Sequence, residues 1–150
     1  MSVVNIFEIP LTACGRIWPS LAFQCWSRKW EENSHMEDFE DFHSKAARSR
    51  SLCLIANVHG KDIGYLVSYE DEPGTLFVYE GAVLPSFRRQ GVFTSLLTYL
   101  QDWARNHHIL LIFTTCNPKN NAIIQCLLKS GFRKDRLLSP DSQRLIRYLG

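Results

Sequence analysis

The chain has no long apolar run. Its longest stretches are about seven residues, against the ~20 that a helix needs to cross a bilayer, so no membrane association is expected. The N-terminal "MSVVNIFEIPLTACGRIWP" has no basic start followed by an apolar core, as a secretory signal would, and a cytoplasmic location is expected. CxxC pairs are absent. The five cysteines, Cys14, Cys25, Cys53, Cys116 and Cys126, are odd in number, which argues against a disulfide framework and a structural zinc site. Most of them read as small buried apolar residues. The five histidines are scattered; only His107 and His108 adjoin, and sequence neighbours do not share a helix face, so no metal is expected. A dense basic patch interleaved with aromatics is missing too, which argues against nucleic acid as a partner. Repeats and linkers are lacking, so residues 1–150 are expected to form one domain.

What is present is the composition of a globular protein: 150 residues, 45% hydrophobic and 21% charged, with a net charge of +2. That length is enough to bury a real core. The charge is unevenly spread. Glu31, Glu32, Glu37, Asp38, Glu40 and Asp41 form an acidic run, while Arg88, Arg89, Arg133, Lys134, Arg136, Arg144 and Arg147 lie in the second half. The acidic run is either a solvated helix face or a wall for a cationic ligand.

The apolar pattern predicts a mixed α/β domain. "VVNIFEI" (Val3 to Ile9), ended by Pro10, reads as a strand. Trp18, Leu21, Ala22, Cys25 and Trp26 fall on one helical face, with Pro19 in the first turn. A second helix is expected from Met36 to Ala47, with Phe39, Phe42, Ala46 and His43 inward. "LCLIANV" (Leu52 to Val58), "IGYLVSY" (Ile63 to Tyr69) and "TLFVYEGAVL" (Thr75 to Leu84), separated by turn signals, predict an antiparallel meander. A helix carrying Phe93, Leu96, Leu97, Leu100 and Ala104 follows. The almost wholly apolar "ILLIFTT" (Ile109 to Thr115) predicts a central strand covered on both faces. A helix over Asn121 to Lys129, with Ile123, Ile124, Leu127 and Leu128 inward, stops at Gly131. "RLIRYL" (Arg144 to Leu149) is expected to be the last strand.

The chemistry concentrates in "PSFRRQGVFTSLL", where Arg88-Arg89-Gln90-Gly91-Val92-Phe93 joins a strand to a helix. The first amides of a helix lack internal partners and point outward at the positive end of its dipole. A glycine lets a ligand approach the backbone, and arginines add charge-assisted bonds to phosphate oxygens. Such a turn suits a pyrophosphate.

With its surroundings, this stretch resembles the Gcn5-related N-acetyltransferases (GNAT). The family signature [R/Q]-x-x-G-x-[G/A] corresponds to Arg88-x-x-Gly91-x-Phe93, after Val83-Leu84-Pro85, and a later Asn and Gly-Phe pair correspond to Asn120 and Gly131-Phe132. The specific part runs from Tyr79 to Phe132; "LFVYEGAVLPSFRRQG" is also locally similar to the aminoglycoside 6'-N-acetyltransferase branch. The resemblance implies a mostly antiparallel sheet splayed in the middle and flanked by about four helices, with acetyl-CoA as cosubstrate. It puts the pyrophosphate on the backbone of Arg88, Arg89, Gln90, Gly91, Val92, Phe93 and Thr94. The pantetheine arm falls beside Val83 and Leu84, with Asn120 bonding the same region. It also implies an acid at Glu80 facing the acceptor.

Two positions depart from the family pattern. Phe93 replaces a small residue, and its ring is expected to turn toward Leu96 and Leu97, leaving the amides open. Leu127 stands four residues before Gly131, where a Tyr often protonates the leaving thiolate. Departure as free thiolate and protonation by another hydroxyl such as Tyr99 both stay open.

The expected reaction is direct acetyl transfer to a primary amine of a small cationic molecule. Roughly 0.04% of an alkylamine is neutral at pH 7, so a proton must be removed, and Glu80 is the candidate catalytic group. Tyr79 and Trp26 are candidates to line the acceptor pocket with it. A protein, peptide or aminoacyl amine as acceptor, or a CoA-binding regulatory module without catalysis, are the competing readings. A homodimer is compatible with the sequence.

Overall fold

The computed structural model describes the backbone of residues 3–26 and 32–150, and the side chains of those residues except 26 and 32–38. In chain order the elements are β1 (Asn5–Ile9), α1 (Leu11–Trp26), α2 (Glu32–Ala46), β2 (Ser51–Val58), β3 (Lys61–Glu72), β4 (Thr75–Val83), a 3-10 turn at Pro85–Phe87, α3 (Val92–Asn106), β5 (Leu111–Cys116), α4 (Asn121–Lys129), β6 (Arg133–Ser139) and β7 (Ser142–Tyr148). The strands form one sheet in the order β1-β2-β3-β4-β5-β7-β6. Every neighbouring pair is antiparallel except β4 and β5.

The meander is set by its turns. His59 and Gly60 both have positive φ (50° and 80°), as a two-residue hairpin matched to right-handed strand twist requires. Pro73 and Gly74, the latter at φ 82°, make the next turn. After β4 the chain crosses one face of the sheet as α3 and returns as β5. The carboxyl ends of two parallel strands therefore lie together, with the N-termini of α3 and α4 beside them.

A β-bulge decides what faces what. Val67 pairs with Glu80 and Ser68 pairs with Val78, which leaves Tyr79 as the extra residue on β4. Phe77 pairs with Tyr69, and Ala82 with Tyr65, so Phe77, Glu80 and Ala82 share the face of Tyr65, Val67 and Tyr69. Strict alternation would have put Phe77 and Glu80 on opposite faces. Trp18 of α1 and Phe42 of α2 pack their rings on Tyr65, Tyr69 and Tyr79 of this face. Leu96, Leu97, Leu100 and Ala104 of α3 are fully buried against the other face.

Four expectations are corrected. α1 starts at Leu11, so Pro19 lies inside the helix rather than in its first turn, leaving the carbonyl one turn back without its usual amide. β6 is a strand that the apolar pattern does not predict: all seven of its residues are exposed, so it carries no alternation to read. His43 and Leu128 are exposed rather than inward. β5 is fully covered on one face only, with Ile112 and Thr114 buried and Phe113 half-buried.

Candidate active site

The site is built where β4 and β5 part. Their parallel pairing runs from Thr75↔Leu111 to Val78↔Thr114 and stops there, although both strands continue. At the last rung the Thr114 hydroxyl donates to the Val78 carbonyl at 3.0 Å and closes the ladder with a side chain. Beyond it, β4 stays paired with β3 alone. The Leu84 amide donates to Ile63 O at 2.8 Å. Antiparallel ladder bonds alternate, so the backbone groups of Gly81 and Val83 turn toward the open side. A strand edge opened inside a sheet is a place for an extended, amide-bearing chain to lie.

The loop after this strand has the form an anion needs. Gly91 is the N-cap of α3 at φ 80°, and it brings no capping side chain. The first intrahelical amide is that of Ser95, bonded to Gly91 O at 3.0 Å. The amides of Val92, Phe93 and Thr94 therefore stand at the positive helix end without intrahelical partners. Apart from its chain neighbours, a Cβ placed on Gly91 would meet no atom within 4 Å, so the loop is open at this position. Arg89 is also left-handed (φ 63°) and its side chain is exposed; Gln90 returns its amide to Ser86 O at 3.2 Å. Val92 is buried and Thr94 exposed. The Phe93 ring turns inward, as expected, and lies 3.4 Å from where a Cβ on Gly81 would sit. These features fit a pyrophosphate followed by a pantetheine arm.

Arg88 behaves differently from expectation. The residue remains exposed, but its guanidinium turns back onto the fold, with Nε donating to Val83 O at 3.0 Å and Nη2 to Cys25 O at 2.9 Å. The guanidinium thus ties the end of α1 to the end of β4. Val83 and Leu84 are buried beside it. At the neighbouring strand end, Asn120 caps α4, its Oδ1 accepting from the Ile123 amide at 3.3 Å, which leaves the carboxamide nitrogen as the group to reach a ligand.

On the α1 and α2 face, Glu80 meets Trp18 and Tyr65. The indole Nε1 donates to Glu80 Oε2 at 2.8 Å, and the Tyr65 hydroxyl donates to the same oxygen. Trp18 and Tyr65 are 1% and 0% exposed. Tyr79, half-buried, has its ring edge-on to Trp18 and its hydroxyl on Asp41 Oδ2 at 2.8 Å. Burial pushes the Cys25 thiol up to about 12, with the Arg88 charge opposing this and the Glu80 charge adding to it.

Other expected groups fall elsewhere. The Trp26 side chain lies outside the described residues, as do those of Glu31, Glu32, Glu37 and Asp38 in the acidic run, while Glu40 and Asp41 are exposed. Leu127 is buried in the core and presents no hydroxyl. The Tyr99 hydroxyl donates to Glu8 of β1 at 2.6 Å, at the sheet edge three strands from β4. The donors on Glu80 and the inward turn of Arg88 are not legible in the sequence. Tyr65 lies 15 residues from Glu80, and Cys25 lies 63 from Arg88, so no local pattern links them.

Comparison with known proteins decides the family. The acetyltransferase (GNAT) family model matches residues 18–132. The chain belongs to the GNAT family. An L-2,4-diaminobutyric acid acetyltransferase from Nocardia farcinica is 34% identical over 73 residues, 47% of this chain and 38% of that protein. The chain thus matches less than half the length of that relative. Among solved structures, an IAA acetyltransferase from Bacillus cereus ATCC 14579 superposes with a TM-score of 0.75 at 19% identity, covering 98% of this chain and 100% of that one. The PaiA N-acetyltransferase of Thermoplasma acidophilum, solved with coenzyme A, gives a TM-score of 0.74 at 11% identity, over 98% and 99% of the two chains. These likenesses establish the fold as that of the GNAT acetyltransferases.

Proposed function

We propose that this GNAT protein is an acetyl-CoA-dependent N-acetyltransferase acting on a primary amine of a small cationic molecule, with diamino acids such as L-2,4-diaminobutyric acid the first candidates. The observation that carries this reading is the fork itself: pairing that ends at Val78↔Thr114, with the open N-terminus of α3 at its mouth and a carboxylate on its wall. When bound, acetyl-CoA supplies a thioester carbonyl.

The residues then divide the work. Val92, Phe93 and Thr94 hold the pyrophosphate through their amides. Gly81 and Val83 offer backbone groups to the pantetheine arm, and an amide on this strand polarises the acetyl carbonyl as charge develops on its oxygen. Glu80 places a negative charge beside the incoming amine. The ammonium nitrogen loses one proton to free its lone pair, attacks the thioester carbon to form the new C–N bond, and loses a second proton as the tetrahedral adduct collapses and the C–S bond breaks. Leu127 offers no acid, so the sulfur leaves as thiolate and takes its proton from solvent.

The small-amine reading is supported by the relatives from Nocardia farcinica and Streptomyces coelicolor, both L-2,4-diaminobutyric acid acetyltransferases. The buried Leu127 favours one alternative, a CoA-binding module without turnover. A thiol-release assay with acetyl-CoA and L-2,4-diaminobutyric acid, polyamines, aminoglycosides, amino acids and peptides tests both. Thiol release that depends on a small amine supports transfer. Saturable CoA binding with no release against any amine would overturn it in favour of the module.

A further inference from the structure

We propose that Trp18 and Tyr65 are positioning residues that fix the Glu80 carboxylate as an anion, so that it seats the acceptor's ammonium group and does not take the proton from it. This rests on the reading of the β4–β5 fork as the place of transfer. The first observation is chemical. Among the described residues, Glu80 Oε2 receives bonds from a hydroxyl and a ring N–H, and an indole can only donate. Hydrogen bonds given to the charged form of an acid favour that form. The second observation is mechanical. The Trp18 ring lies edge-on to Phe39, Phe42 and Tyr79, with centroids 5.7, 5.3 and 5.9 Å away, so its N–H has one direction available. The Tyr65 ring is fully buried between the strands and α1.

A general base works best when its proton affinity matches the operating pH. A carboxylate held by two buried donors is unsuited to that task and well suited to being a fixed counter-charge. Among the described residues, the other titratable groups on or beside this wall include the Cys25 thiol on α1, the Arg88 guanidinium after β4, the Tyr69 hydroxyl on β3, and His43 and Asp41 on α2, the last holding the Tyr79 hydroxyl. Burial keeps the Cys25 thiol protonated at neutral pH. On this inference the amine protons leave to solvent through the mouth of the fork.

The test has two arms. In the first, the protein is labelled with 13C at glutamate side-chain carboxyls, and the Glu80 resonance is assigned by its loss in Glu80→Gln. It should hold its ionised position through the neutral range, whereas in Tyr65→Phe it should begin to protonate at higher pH. Proton uptake by Glu80 near neutral pH in the wild type overturns the inference. An unchanged titration in Tyr65→Phe overturns the positioning role. In the second arm, kinetics use the best acceptor from the amine screen. Glu80→Gln should raise its KM at least tenfold, leave kcat within about threefold, and keep the acidic limb of the pH profile. Tyr65→Phe should raise KM in the wild type and add nothing in the Glu80→Gln background. A tenfold fall in kcat with loss of the acidic limb makes Glu80 the base: the inference fails and the site reading stands. Wild-type kinetics in Glu80→Gln remove Glu80 from the site altogether. Unchanged acetyl-CoA affinity by calorimetry shows that each variant is folded.

Discussion

Arg88 reaches back across the end of β4 to the carbonyl of Cys25, 2.9 Å from its Nη2, while its Nε holds Val83 O at 3.0 Å. A motif arginine that reads from sequence as a phosphate ligand is used as a clamp between α1 and the strand beside the fork.

The clamp makes a prediction that a phosphate ligand would not. Hydrogen bonds from a charged group contribute about 1.5–3 kcal/mol when well buried, less when water competes. Arg88→Ala should lower Tm by about 3–6 °C and raise acceptor KM, because the end of α1 loses its tether. Acetyl-CoA affinity by calorimetry should change less than about threefold. Arg88→Lys should not restore the wild type, since one ammonium cannot reproduce a forked pair of N–H donors. A tenfold loss of acetyl-CoA affinity at unchanged Tm would return the side chain to the phosphate.

Gly81 and Phe93 form a matched pair of small and large. A Cβ on Gly81 would lie 3.2 Å from the Tyr65 carbonyl oxygen and 3.4 Å from the Phe93 ring. The first neighbour is backbone and gives little; the second can move. Gly81→Ala should destabilise by about 1–3 kcal/mol through overpacking. Combined with Phe93→Ala, the loss measured by urea unfolding should be smaller than the two single losses added together, because the cavity left by the ring accepts the new methyl. Strict additivity would show that the ring and the glycine are not coupled.

Burial of the thiols predicts a loss of stability at alkaline pH. Burial raises Cys25 from 9.0 to about 12, and Cys53 is also raised, first by a thiol hydrogen bond with Cys14 and then by burial; both cysteines are free. Above pH 9 the unfolded chain releases thiol protons that the folded chain keeps. The folded state then binds more protons, so stability falls as pH rises, by about 1.4 kcal/mol per pH unit for each such thiol. Tm should hold up to pH 9 and fall between 9 and 12, and Cys25→Ala should flatten that slope. A Tm that holds through pH 11 would show that these thiols ionise as freely folded as unfolded.

What the sequence made legible follows from how far each feature depends on its own neighbours. The meander could be read because Leu52–Val58 and Ile63–Tyr69 are dense in apolar residues between turn signals. The α3 face could be read because Leu96, Leu97, Leu100 and Ala104 recur at helical spacing. β6 could not, since a strand with every residue exposed has no buried face to mark it. Nor could the facing of Glu80, because the bulge at Tyr79 is made by the register of β3 against β4 and by no residue of β4 alone. The loop at Gly91 was visible as a turn, but the destination of Arg88 was not, since its partner is a backbone carbonyl on another element.

Gly91 offers the sharpest test of the cofactor loop. It sits at φ 80° with no atom beyond its chain neighbours within 4 Å of the place a Cβ would take, so a new side chain there has room. What it lacks is backbone ease, since a left-handed non-glycine residue costs about 1–2 kcal/mol. Asp tolerates that region better than most residues. Gly91→Asp should therefore fold, with a Tm lower by about 3–6 °C. Its carboxylate would stand at the positive end of α3, in the place an anion would take. Acetyl-CoA affinity should fall at least a hundredfold by calorimetry, far beyond what backbone strain explains. Gly91→Ala separates the two effects, because it carries the strain without the charge and should lose affinity much less. Equal affinities for acetyl-CoA in the wild type and in a folded Gly91→Asp would mean that the pyrophosphate lies elsewhere.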